Sequence, residues 1–215
     1  MTGESKFIIG IGIITLILLI GGVFFLAGKQ PPKQEVAGAQ TADSTVLLAN
    51  TAHTIGNQNN SVKIVEFADF QCPACAAAHP IMKKILEEYK DKVYFVYRHY
   101  PLPSHKNSKI AAQSAEAAGN QGKFWEMHDM IYENQADWAE KGNAKEIFEG
   151  YAQKLGLDMD QFNKDLDKGS DSIAKDYADG NIAGVNSTPT FFINGQKYPG
   201  VIQYDEFTKL INTSK

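Results

Sequence analysis

Ile64-Val65-Glu66-Phe67-Ala68-Asp69-Phe70-Gln71-Cys72-Pro73-Ala74-Cys75 carries the reading that decides the fold. The segment from Ser61 to Phe67 is dense in β-branched and aromatic residues, which predicts a buried strand. The cysteine motif that follows holds both cysteines of the 215-residue chain. Three positions apart, they close almost no loop, so a disulfide between them adds little stability. Their value is chemical: two thiols oxidised and reduced as a unit. From Ala76 to Tyr89 the spacing is helical, with Ile81, Ile85, Leu86 and Tyr89 on one face and Lys83, Lys84, Glu87 and Glu88 mostly away from it. Pro73 suits a first helical position, where it has no N–H to lose. Cys72 then sits at the helix start, where free backbone N–H groups and the helix dipole stabilise a thiolate. Cys75, almost one turn further in, is the expected resolving thiol. The competing readings are inert thiols or half a zinc site. Zinc needs four ligands, there is no second CxxC, and His79 adds at most one ligand, so no metal is expected.

Working outward, Val93 to Tyr97 predicts a second strand, ended by Pro101 and Pro103. Strand, helix and strand in this order predict a right-handed βαβ unit. From about 104 to 184 the pattern is helical, with segments at Ile110–Ala118, Phe124–Tyr132, Ala144–Leu155, Asp160–Leu166 and Ser172–Ala183. Strands return at Thr190–Ile193 and Gln196–Pro199, joined by the hairpin signal Asn194-Gly195. Tyr204 to Ile211 closes the chain as an amphipathic helix. The fold class is therefore α/β, with a helical insertion between its two halves.

The N-terminal part is of another kind. Phe7 to Ala27 is apolar and free of charge, long enough to cross a bilayer as a helix and long for a cleaved signal. We read residues 1–6 as a cytoplasmic N-terminus, 7–27 as an uncleaved transmembrane anchor, 28–54 as a flexible tether and 55–215 as the folded domain. Val46-Leu47-Leu48 is expected as a short extended piece that docks on the domain. Lys6 precedes the apolar run and Lys29 and Lys33 follow it, so flanking charge barely orients it. A working disulfide couple places the domain on the extracytoplasmic side of the cell membrane. The net charge is −4 and there is no basic run, which argues against a nucleic-acid partner.

The cysteine stretch, taken with Ser187-Thr188-Pro189-Thr190-Phe191-Phe192-Ile193-Asn194-Gly195, resembles the DsbA-like thiol-disulfide oxidoreductases of the thioredoxin superfamily. The resemblance runs from about Ile55 to the C-terminus. It implies a thioredoxin-like fold and a redox-active Cys72–Cys75 pair with no bound cofactor. It implies that Thr188 and Pro189 form a cis-proline loop facing the cysteines, where a substrate peptide lies. It implies that Glu66, costly to bury in an apolar strand, assists proton transfer to Cys75; a solvent-facing edge glutamate is the alternative. Pro73 and Ala74 tune the thiolate, and alanine stands where the most oxidising members carry histidine. The implied partners are unfolded or partly folded exported polypeptides with cysteines, and a quinone-linked membrane re-oxidant of the DsbB or vitamin-K-epoxide-reductase type. The same residues also suit a reductase or isomerase. A tethered non-catalytic binding or metal-binding module is the reading from another class.

Other residues carry plainer expectations. His53, His99, His105 and His128 share no spacing that builds a site. Trp125 and Trp138 are expected to pack helices. Asp69 and Glu66 both lie on the approach to Cys72 and are not expected to act as a hydrolytic pair.

Overall fold

The structure, a computed structural model, describes residues 41–49 and 52–214. The expected N-terminus, the anchor over 7–27 and the first part of the tether lie outside the described residues. Among the described residues, no helix is long and apolar enough to cross a membrane.

A short helix α1 (Ser44–Leu47) leads in, followed by β1 (Thr54–Ile55), β2 (Val62–Ala68), α2 (Pro73–Glu88) and β3 (Val93–His99). Six helices come next: α3 (Ser108–Gly119), α4 (Phe124–Glu133), α5 (Gln135–Trp138), α6 (Ala144–Lys154), α7 (Met159–Asp165) and α8 (Ser170–Ile182). The chain closes with β4 (Thr190–Ile193), β5 (Gln196–Pro199) and α9 (Tyr204–Thr213). The expected βαβ unit, helical insertion and ββα ending are all present.

The strands form one sheet in the order β1-β3-β2-β4-β5. β2 and β3 run parallel, joined by α2, and the other pairs are antiparallel. Side chains alternate across β2 because successive Cβ atoms point to opposite faces. Val62, Ile64 and Ala68 enter the larger core, with α2 and the insertion, while Val65 and Phe67 enter a smaller core. Glu66 shares the face of Ile64 and Ala68, so a central strand carries its carboxyl inward.

On the smaller-core side, Arg98 is fully buried. Its Nε meets Asp176 Oδ1 at 2.5 Å, and its Nη2 meets Asp179 Oδ2 at 2.5 Å. Its Nη1 donates to the carbonyls of Val46 at 3.2 Å and Leu47 at 2.9 Å. Arg98 thus ties the lead-in to α8. The piece at Val46-Leu47-Leu48 does dock, but as a helical turn rather than an extended segment. Asp43 explains the difference: its side chain accepts the Thr45 N–H and caps α1.

Candidate active site at the CPAC helix start

Strand register assembles the site. Parallel pairing sets Ala68 beside His99, so β2 and β3 end together. β4 runs antiparallel to β2 and sets Thr190 beside Phe67, so the residues preceding Thr190 come to the same end of the sheet. Thr188 and Pro189 therefore face the loop that leads to Cys72. The Thr188–Pro189 peptide bond is cis, and the Cys72 thiol donates to the Thr188 carbonyl oxygen at 3.3 Å.

Cys72 is the N-cap of α2, with extended backbone and no side-chain cap bond, and Pro73 occupies the first turn. Its pKa is lowered to about 5. The largest cause is the hydrogen bond from the Cys75 thiol, which favours the thiolate against the cost of burial; the backbone N–H groups of Cys75 and Ala74 add to it. Cys75 is 1% exposed, and burial pushes its thiol well above the usual range. The Asp69 N–H donates to its sulfur at 3.5 Å. The two thiols differ in the way an attacking and a resolving cysteine must.

Glu66 is 5% exposed, which removes the reading of a solvent-facing edge residue. Burial raises its pKa to about 8. Its charge acts on Cys75. It lines a cavity of about 130 Å³ whose wall includes His79, Lys83, His128 and Asp129.

Sequence reasoning passed over the residues that hold the motif in place. Asp69 is buried beneath the loop and takes four hydrogen bonds. Its Oδ1 accepts the Gln71 N–H at 2.8 Å and the Ser108 hydroxyl; its Oδ2 accepts the Leu102 N–H at 2.8 Å and bonds His105 Nδ1 at 2.7 Å. Gln135 Nε2 donates to the carbonyls of Phe70 at 2.7 Å and Cys72 at 3.0 Å. The Gln71 side chain accepts the Asn107 N–H at 2.7 Å and donates to the Ala139 carbonyl at 2.7 Å. The helical insertion is therefore the frame in which the cysteine loop is set. Trp138 is fully buried and donates to the Ile131 carbonyl, so it does pack helices.

The histidines also depart from expectation. His53 and His99 converge on Glu116, and His79 and His128 converge on Asp129. Their sequence spacing conceals this because each group draws on separate elements.

A thiol of lowered pKa at a helix start, a second, more deeply buried thiol and a cis-proline loop on a mixed sheet match the layout of a thioredoxin-type dithiol site. Comparison with known proteins agrees. Residues 48–213 match the family model described as thioredoxin, and the chain belongs to the thioredoxin family. It is similar to a thioredoxin-like oxidoreductase from Silicibacter pomeroyi DSS-3, at 27% identity and TM-score 0.68, covering 80% of this chain and 96% of that one. BdbD from Bacillus subtilis shares the fold at 22% identity and TM-score 0.68, over 84% of this chain and 98% of that one. A curated relative, a Na(+)/H(+) antiporter NhaA 3 from Salinispora tropica, is 38% identical over 187 residues, 83% of this chain and 28% of the relative. The chain spans less than a third of the length of the first curated relatives it matches.

Proposed function

We propose that this chain is a thiol-disulfide oxidoreductase that introduces or exchanges disulfides in exported polypeptides, held at the outer face of the cell membrane by its apolar N-terminal segment. The observation that carries the reading is the pairing of a stabilised Cys72 thiolate, at about pKa 5, with a buried Cys75 whose thiol resists ionisation.

In the oxidising direction, a substrate thiolate attacks Cys72 of the Cys72–Cys75 disulfide. The bond between the two cysteines breaks, and the electron pair leaves on Cys75. Glu66, protonated at neutral pH by its raised pKa, supplies the proton that Cys75 needs. A second substrate thiolate attacks the substrate sulfur of the mixed disulfide, and Cys72 departs as a thiolate. The substrate is oxidised and the dithiol reduced. Thr188 and Pro189 line the place where the substrate backbone lies.

The low pKa of Cys72 supports this direction, because a stabilised reduced form makes the disulfide a stronger oxidant. Ala74 contributes only its backbone N–H, having no side-chain donor. Turnover as an oxidase requires a re-oxidant, for which a quinone-linked membrane protein of the DsbB or vitamin-K-epoxide-reductase type is the natural class. The dithiol needs no further cofactor.

The test is oxidative refolding of a reduced, disulfide-containing substrate by the full chain and by Cys72→Ser. Loss of transfer with an unchanged far-ultraviolet spectrum is expected. Transfer that survives in C72S would refute the assignment. Equilibration with glutathione then fixes the direction: a potential near about −120 mV marks an oxidant and one near about −270 mV a reductant.

A further inference from the structure

His53, just before β1, His99, the last residue of β3, and Glu116 on α3 are all buried. His53 Nε2 lies 2.8 Å and His99 Nε2 3.0 Å from the same oxygen, Glu116 Oε1. Two imidazole nitrogens and a carboxylate oxygen, all within 4.8 Å of one another, form a familiar donor set for zinc. The three side chains are held from behind. The His53 ring stacks on Phe124 with centroids 3.4 Å apart and planes at 6°. His99 stands edge-on to Tyr97 at 5.3 Å. Glu116 packs against Gly169 so tightly that a Cβ there would meet Glu116 Cβ at 2.6 Å.

Charge separates this group from the other histidine cluster. Asp129 takes His79 Nε2 at 2.9 Å and His128 Nδ1 at 3.1 Å, but its second oxygen is held by the Lys83 ammonium at 2.9 Å. That site already has its cation, and the ammonium repels another. Among the described residues, no lysine or arginine pairs with Glu116; its remaining contact is the Ser172 hydroxyl at 3.2 Å.

We propose that His53, His99 and Glu116 bind one divalent cation of the zinc class, with a fourth position toward Ser172. Ligands about 2.0–2.1 Å from a tetrahedral zinc are separated by about 3.3 Å, so the 2.8 and 3.0 Å separations of the two imidazole nitrogens from Glu116 Oε1 need widen only slightly. Ser172 is partly exposed and marks the side from which the ion and a water ligand enter. The ion joins the lead to β1, the end of β3 and the insertion helix α3. It is a structural clamp between the first half of the sheet and the helical insertion, separate from the dithiol.

The test uses the full chain without a polyhistidine tag, carrying Cys72→Ser and Cys75→Ser so that thiolates cannot compete. Titration with Co²⁺ should give one equivalent with tetrahedral d–d bands and no sulfur charge-transfer band, displaced by Zn²⁺. Glu116→Gln and His99→Gln should each weaken binding by more than about 100-fold, exceeding the loss typical for an outer-shell partner. His79→Gln should leave it unchanged. Absence of stoichiometric binding to the natively folded parent overturns the proposal whether or not the variants fold. Binding that survives E116Q, or is lost in H79Q, also overturns it.

Discussion

The backbone N–H of Asp69 donates to the sulfur of Cys75 across 3.5 Å, while the carboxylate of Asp69 gathers donors from Gln71, Leu102, His105 and Ser108. One residue therefore sets the inner cysteine from its main chain and the surrounding loops from its side chain. Asp69→Asn keeps the shape but turns an N–H₂ group toward two of those donors. It should cost about 2–4 kcal/mol of stability, read from urea unfolding, and slow disulfide exchange. An unchanged midpoint would show that the loops are organised without it.

The pH dependence of stability in the reduced protein separates Glu66 from Cys72. Glu66 has a folded pKa of about 8, above its ordinary value of 4.5, so the folded state holds the extra proton and stability falls as pH rises between these values. Cys72 has a folded pKa of about 5, below its ordinary value of 9.0, so the unfolded state holds the extra proton and stability rises with pH over that range. His128, pushed down to about 4 by burial, contributes a rising slope only up to its ordinary value of 6.5. Between about pH 7 and 8 the two slopes, each about 1.4 kcal/mol per pH unit, nearly cancel. Glu66→Gln should make the profile rise in this window and Cys72→Ser should make it fall. Parallel profiles for the two variants would contradict the opposed titrations.

Thiol chemistry offers a direct reading of the same asymmetry. Alkylation of the reduced chain near pH 6, followed by mass spectrometry, should modify Cys72 and spare Cys75. Thiolate absorbance should titrate near pH 5 and vanish in C72S. Ala74→His adds a donor beside Cys72. Each further pKa unit of thiolate stabilisation is about 1.4 kcal/mol and raises the reduction potential by about 30 mV. A potential that stays fixed in A74H would show that residue 74 does not reach the sulfur.

Arg98 supports a prediction about the lead-in. Replacement by methionine removes a buried cationic partner from the Asp176 and Asp179 carboxylates and a donor from two α1 carbonyls, at a cost of about 3–5 kcal/mol. Limited proteolysis should then cut near residues 41–49 before the rest of the domain. Lysine should not rescue it, because a point charge cannot span the carboxylates and carbonyls as the guanidinium fork does. Full stability in R98M would deny the clamp.

These residues also show where the chain could be interpreted in advance. The strand, the CPAC motif and the helix after it are contiguous, so periodicity and helix-start chemistry exposed them together. Glu66 was visible as a charge in an apolar run, and alternation in a central strand explains its burial. Thr188 and Pro189 stood out through resemblance to a family, since nothing local says that they face Cys72. Asp69, Gln71, Asn107 and Gln135 escaped because they are polar residues in loops or at helix ends, where exposure is the ordinary outcome. The convergence of His53, His99 and Glu116 escaped because β3 and α3 bring them together through tertiary packing. Only α1 could have been recognised locally, from Asp43 followed by Ser44 and Thr45.

The outermost strand, β5, meets the lead-in at its free side. Thr41 bridges Gln196, and the Ala42 N–H donates to the Gly195 carbonyl at 3.0 Å. An exposed strand edge is a template on which another chain can add a strand. Residues 41 and 42 occupy part of that template, and Arg98 keeps α1, which follows them, in place. The lead-in thus covers part of a sheet edge, and loosening it would uncover hydrogen-bonding groups on which another strand can add.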